Sequence, residues 1–128
     1  MRTLIIIPLL LFSLLLGAPS YSADVDKGWD AYNNGDFVTA FKEFKPLADD
    51  RDAYFQFIIG WMYANGKGID QDYKEAVYWY RLAAEQGDAR AQTSLAMMYQ
   101  KGEGVSIDYN KSYDFYQMAI KQGNNFAK

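Results

Sequence analysis

An all-α fold, an α/α solenoid of antiparallel helix hairpins preceded by a signal peptide, is predicted by three observations. Residues 52–87 and 88–123 are two copies of one pattern, DAYFQFIIGWMYANGKGIDQDYKEAVYWYRLAAEQG and DARAQTSLAMMYQKGEGVSIDYNKSYDFYQMAIKQG, held at a constant spacing of 36 residues. Apolar residues recur three and four apart with glycines between the runs, which is the periodicity of short amphipathic helices. A period of this length marks a supersecondary unit that cannot bury its apolar face alone and must stack on copies of itself.

Residues 1–23 carry Arg2, an apolar run from Leu4 to Leu16 interrupted by Pro8, and then small residues up to Ala23. The run falls short of the roughly 20 residues that span a bilayer as a helix. Its layout is that of a secretory signal peptide, with cleavage expected after Ser20, Ser22 or Ala23, and Ala23 preferred. An uncleaved anchor is the alternative. The remaining chain, about 105 residues, suits one domain.

Residues 24–51 read as a shorter helix pair, Asp26 to Asn34 and Asp36 to Asp50, turning at Asn34-Gly35. Ala40, Phe44, Leu47 and Ala48 stand 36 residues before Ala76, Tyr80, Ala83 and Ala84, with about five loop residues missing upstream. Pro46 inside the second helix is expected to kink or fray it.

In the full copies the first helices run from Asp52 to Asn65 and from Asp88 to Lys101, each opened by an aspartate N-cap. Gly66 and Gly102 close them, as residues able to take the left-handed conformation. Gly68 and Gly104 let the next loop pass close over helix ends, and Ile69 and Val105 plug it onto the core. The second helices run from Asp72 to Gln86 and from Asp108 to Gln122, closed by Gly87 and Gly123. Asp72 and Glu75 have capping-box spacing. Small pairs, Ala76 with Ser112 and Ala83 with Ala119, permit close helix approach, and Tyr80 with Tyr116 fills the space between. Residues 124–128 begin an incomplete further repeat.

Composition narrows the function classes. The chain has 13 basic and 16 acidic residues, and losing Arg2 moves the net charge from −3 to −4. With no basic cluster, neither nucleic acid nor an anionic membrane surface is an expected partner, and no stable membrane insertion is expected after leader cleavage. Histidine and cysteine are both absent. That excludes disulfides, a lipid-modified N-terminal cysteine, the commonest general base and the thiol nucleophile. The cluster Asp49, Asp50, Asp52 lacks calcium-loop spacing and reads as a solvated turn before a helix. No catalytic residue, metal site or cofactor is expected, and the chain is read as a non-enzyme.

The pattern A-x-x-x-L/I-G/A-x-x-Y-x-x-G-x-G-V/I followed by D-Y-x-x-A-x-x-W/F-Y-x-x-A-x-x-Q-G resembles the Sel1-like repeat, a relative of the tetratricopeptide repeat. The resemblance covers both full copies, while residues 24–51 look closer to a plain tetratricopeptide hairpin. It implies an α/α solenoid whose members are mostly adaptors for other proteins; some secreted bacterial members resemble this chain in having a signal peptide, and that leader places the chain in a bacterial periplasm or outside the cell. Several exported members carry a cysteine pair per repeat, and this chain departs from them there.

Positions where the copies agree, such as Gly60 with Ala96 and Tyr63 with Tyr99, read as scaffold. Positions where they disagree are the candidate surface. Carrying over the concave first-helix stripe by register selects Tyr54, Phe57, Trp61 and Asn65 in one copy, and Arg90, Thr93, Met97 and Lys101 in the other. Each set lies on one side of a helix, and aromatic and Arg side chains are those enriched in binding hot spots. The competing expectation packs Tyr54, Phe57 and Trp61 against Phe37, Phe41 and Phe44 of the short pair. A second candidate interface is the stripe Tyr109, Tyr113, Tyr116 and Ile120 on the last helix, expected to need a protein partner or a second copy of the chain in a homodimer. The expected function is an exported protein–protein interaction module. The alternatives are a binder of a small peptide or glycan in the aromatic groove, and a cell-wall hydrolase or lactamase-like enzyme.

Overall fold

Each 36-residue copy folds as the expected helix pair in the computed structural model, which describes residues 23–126. Among these residues there are six helices and no strand: α1 (Val25–Asn33), α2 (Phe37–Asp49), α3 (Ala53–Asn65), α4 (Tyr73–Glu85), α5 (Ala89–Lys101) and α6 (Tyr109–Phe126). The principal packing runs serially, α1 on α2, α2 on α3 and onward to α6, as in a solenoid. Residues 1–22, on which the expected leader falls, lie outside the described part. None of the described helices is long and apolar enough to cross a membrane.

Aspartates open the helices. Asp36, Asp52, Asp72 and Asp88 each accept from backbone N–H groups in the first turn that follows, and such caps contribute about 1 kcal/mol each. α1 is capped by Asp24, whose carboxylate accepts from the Lys27 N–H at 3.0 Å, so the helix begins one residue before the expected Asp26. The capping box at Asp72 is only half formed. The Asp72 N–H donates instead to the Tyr63 carbonyl at 2.9 Å, and 36 residues later Asp108 does the same to Tyr99. The returning loop thereby ties the second helix of each pair to the last turn of the first. Pro46 lies inside α2, and the helix continues past it to Asp49.

The loops pass close over helix ends, as expected, and the ends belong to the preceding pair. Gly68 and Gly104 sit at φ +76° and +72°, pressed against the start of the second helix of the preceding pair. A Cβ at Gly68 would run into the Phe37 carbonyl, and one at Gly104 into the Tyr73 carbonyl. These glycines set the distance between repeats. Val105 packs on the core as expected, and Ile69 is half-buried.

Two apolar clusters alternate along the array. One joins α2 to α3 and α4 through Ala40, Phe44, Ile59, Met62 and Trp79. The other joins α4 to α5 through Ala76, Tyr80, Ala83, Ala91 and Leu95. Tyr80 lies so close over α3 that a Cβ at Gly60 would stand 2.7 Å from its ring. Buried glutamines repeat the same bond: Gln56 Nε2 donates to the Ala48 carbonyl and Gln92 Nε2 to the Ala84 carbonyl, both at 3.2 Å. In the first case Gln86 Nε2 donates back to Gln56 Oε1 at 2.8 Å.

The expected helix end at Gly123 does not form. Gly87 turns the chain at φ +92°, whereas α6 continues through Gly123 to Phe126. No neighbouring atom lies within 4 Å of a Cβ placed on Gly123, so no packed element forces a turn there. The position 36 residues before Gly87 is Arg51, held at φ +67°, a conformation that costs a non-glycine residue about 1–2 kcal/mol.

Two predictions follow from this backbone and core. In urea melts, Gly68→Ala loses roughly 3 kcal/mol or more, because left-handed strain adds to a backbone clash. Gly35→Ala, at φ +78° but in open space, loses only about 1 kcal/mol, and Arg51→Gly gains about 0.5 kcal/mol. Equal losses at Gly68 and Gly35 would refute the inter-repeat contact. Burial pushes the Tyr80 hydroxyl up to about 12 from 10, with the Ser94 hydroxyl drawing it slightly the other way. Its contribution to stability is therefore complete below pH 10 and is lost as pH rises from 10 through 12, where only the unfolded chain readily ionises. Tyr80→Phe should flatten that part of the stability–pH curve, and an unchanged slope would show that Tyr80 ionises equally in both states.

Candidate functional site

The first-helix stripes of the two copies meet. Arg90, at the start of α5, lays its guanidinium over the rings of Tyr54 and Phe57 on α3, with Cζ 4.8 Å from both centroids. Asp88 positions it: Arg90 Nη2 lies 2.6 Å from Asp88 Oδ2, and Nε 3.2 Å from Oδ1. That hydrogen bond raises the guanidinium further above its ordinary pKa. A cation over two aromatic faces is worth about 0.5–1 kcal/mol per contact at an exposed site. Tyr54 remains 39% exposed, so part of this cluster faces solvent.

A second group converges one turn further along. Trp61 and Asn65 from α3, and Met97 and Lys101 from α5, line one open cleft of about 350 Å³. Trp61 is half-buried, and the Asn65 side-chain amide donates to the Trp61 carbonyl at 2.9 Å. Met97 is 42% exposed. Ser94 and Glu103 complete the polar lining, and both were missed in the sequence. The signal was present, because they stand where the first copy has Ile58 and Lys67, positions at which the copies disagree. Thr93 is placed elsewhere. Its hydroxyl donates to the Ala89 carbonyl at 2.9 Å, and it lines a groove of about 300 Å³ with Arg90, Tyr116 and Ile120.

The aromatic stripe meets the short pair through Phe37, one of the three partners expected, and through Trp29 and Tyr32, which were not. Trp61 lies 6.0 Å from Tyr32 and 6.4 Å from Phe37 by ring centroids. Tyr54 lies 6.0 Å from Trp29, and Phe57 pairs with Tyr80 at 5.8 Å. Phe41 and Phe44 turn to Tyr63 and Phe55 instead. The stripe is thus packed along one edge and open along the other.

Two further hollows were not foreseen. A cleft of about 490 Å³ between α2 and α4 is lined by Asp49, Arg51, Gln56, Trp79 and Glu85. Another groove carries Arg81, Lys111 and Asp114 around stacked Tyr99 and Phe115 rings, whose centroids are 5.8 Å apart. Among the described residues no group of three or more acidic side chains is placed to hold a metal ion.

The repeat geometry agrees with what known proteins show. The Sel1 repeat family model matches residues 53–88 and 89–124. The crystal structure of c5321, a protective antigen of uropathogenic Escherichia coli strains displaying an SLR fold, is 36% identical with a TM-score of 0.69. The match covers 73% of this chain and 21% of that one. A Sel1 repeat protein from Oxalobacter formigenes is 30% identical with a TM-score of 0.67, over 68% of this chain and 25% of its own. The chain therefore spans only about a fifth to a quarter of the length of either structure. No curated protein matches it. With both 36-residue copies matched and the helix pairs stacked in series, the chain belongs to the Sel1 repeat family.

Proposed function

We propose that this chain is an exported protein–protein interaction module that binds its partner along the open edge of the first-helix face. Sel1 repeats generally mediate protein interactions. The observation that carries the finer reading is the convergence of Trp61, Asn65, Met97 and Lys101, from two repeats, on one cleft beside the Arg90–Tyr54–Phe57 cluster. Apolar anchors with a charged rim are what an interaction hot spot requires. Binding rather than catalysis is the proposed mode of action, because the side chains lining the cleft include no nucleophile paired with a general base.

A small peptide or glycan ligand is the second reading, favoured by a cleft volume at the lower end of small-ligand pockets. Export to the periplasm or beyond rests on the leader-like residues 1–23.

The surface is tested by capture from an envelope fraction with wild type and a Tyr54→Ala, Met97→Asp variant, both positions being exposed. Loss of capture by roughly tenfold or more is expected, the scale of removing a hot-spot side chain. Unchanged capture would reject the face. Saturable quenching of tryptophan fluorescence by a small molecule, abolished in Trp61→Phe, would favour the ligand reading instead. N-terminal sequencing of the exported chain is expected to begin at Asp24, and a retained Met1 would refute leader cleavage.

A further inference from the structure

The second candidate stripe, on α6, can be tested against its own copy one repeat earlier. Subtracting 36 from Tyr109, Tyr113, Tyr116 and Ile120 gives Tyr73, Val77, Tyr80 and Ala84. All four of those pack in the cluster shared with α5. Val77 is 5% exposed and Ala84 3%, whereas Tyr113 is 63% exposed and Ile120 52%. The α6 stripe is therefore an inter-repeat face, the same surface that α5 covers on α4. At Gly123 the chain does not turn back onto it, as it turns onto α4 at Gly87, because α6 continues to Phe126.

The two ends of the array are unlike. At the other end α1 directs Asp26, Lys27 and Asp30 to solvent and ties Lys27 to Glu43 of α2 at 3.4 Å. A charged end does not cover an apolar one, so head-to-tail stacking of copies is disfavoured. The α6 stripe, by contrast, matches itself. Its spacings of four, three and four residues read the same in both directions. An antiparallel pair of α6 helices about a two-fold axis near residues 114–115 sets Tyr109 opposite Ile120 and Tyr113 opposite Tyr116. Aromatic side chains bury 150–250 Å² each, and Tyr116 is already half-buried, so covering this stripe on both copies removes at most about 1,000 Å². That is the size of a weak, reversible interface.

We infer that the α6 face is a tail-to-tail dimer interface occupied by α6 of a second copy of this chain. The contact is isologous and closes after two copies, where a head-to-tail contact would build open filaments. It leaves the cleft at Trp61 and Met97 out of the contact, while the groove where Arg90 and Thr93 meet Tyr116 and Ile120 lies at its margin. The inference is independent of the partner-binding reading above.

The chain has no cysteine, so single-cysteine variants report geometry directly. In the full chain, Tyr113→Cys should cross-link into a dimer on mild oxidation, and Val38→Cys, 68% exposed near the opposite end, should not. Sedimentation of wild type should show a monomer–dimer equilibrium with a dissociation constant on the order of micromolar. Tyr113→Lys with Ile120→Asp should raise that constant at least roughly tenfold while leaving the helical circular-dichroism signal unchanged. A monomer at every concentration overturns the inference, including one that binds only an added amphipathic helix, which would make a foreign helix the occupant. Equal cross-linking of both cysteine variants, or association unaffected by the α6 substitutions, overturns it as well and assigns association to another segment.

Discussion

A helix pair that is apolar on both of its broad sides cannot stand alone, and that constraint governs the rest of this protein. α4 shows it most directly. Tyr80 is pressed over Gly60 on one side, while Ala83 and Ala84 receive α5 on the other. Covering one side always presents the next. The array resolves this at its N-terminal end with a short pair whose outer positions carry charge, and at α6 it leaves tyrosines and an isoleucine two-thirds to one-half exposed.

Polar groups make the stacking specific in register. Gln56 and Gln92 reach carbonyls eight residues back in chain and one helix away, at Ala48 and Ala84. A buried amide that misses its carbonyl costs about 1–3 kcal/mol, so sliding one repeat over the next is penalised at each junction. Gly68 and Gly104 add a steric limit by touching the backbone of the preceding pair. Apolar burial supplies the drive, and these contacts fix the spacing at which it is satisfied.

Repetition made most of this legible without coordinates. The aspartate caps and the glycine C-caps at 66 and 102 were readable because each depends on residues a few positions apart. The helix pairs around them were readable for the same reason. Two positions escaped. Gly123 follows Gln122 as Gly87 follows Gln86, but Asn124 stands where Asp88 caps α5, and no neighbouring atom lies within 4 Å of a Cβ on Gly123. Arg51 occupies a left-handed position that its own side chain does not signal, although it stands 36 residues before Gly87 in the register.

For the surface, disagreement between copies singled out residues without saying which of them would touch. It selected Tyr54, Phe57 and Arg90, but not that Arg90 would lie across the two rings, since that contact joins residues from neighbouring repeats. It selected Thr93 as well, which tertiary packing assigns to the α6 groove. The sequence alone determined the repeat, its helices and the family, because a 36-residue period constrains local structure wherever it recurs. Only the tertiary structure decided which faces are covered, because burial depends on what the adjacent repeat brings, and beside α6 the described chain brings nothing.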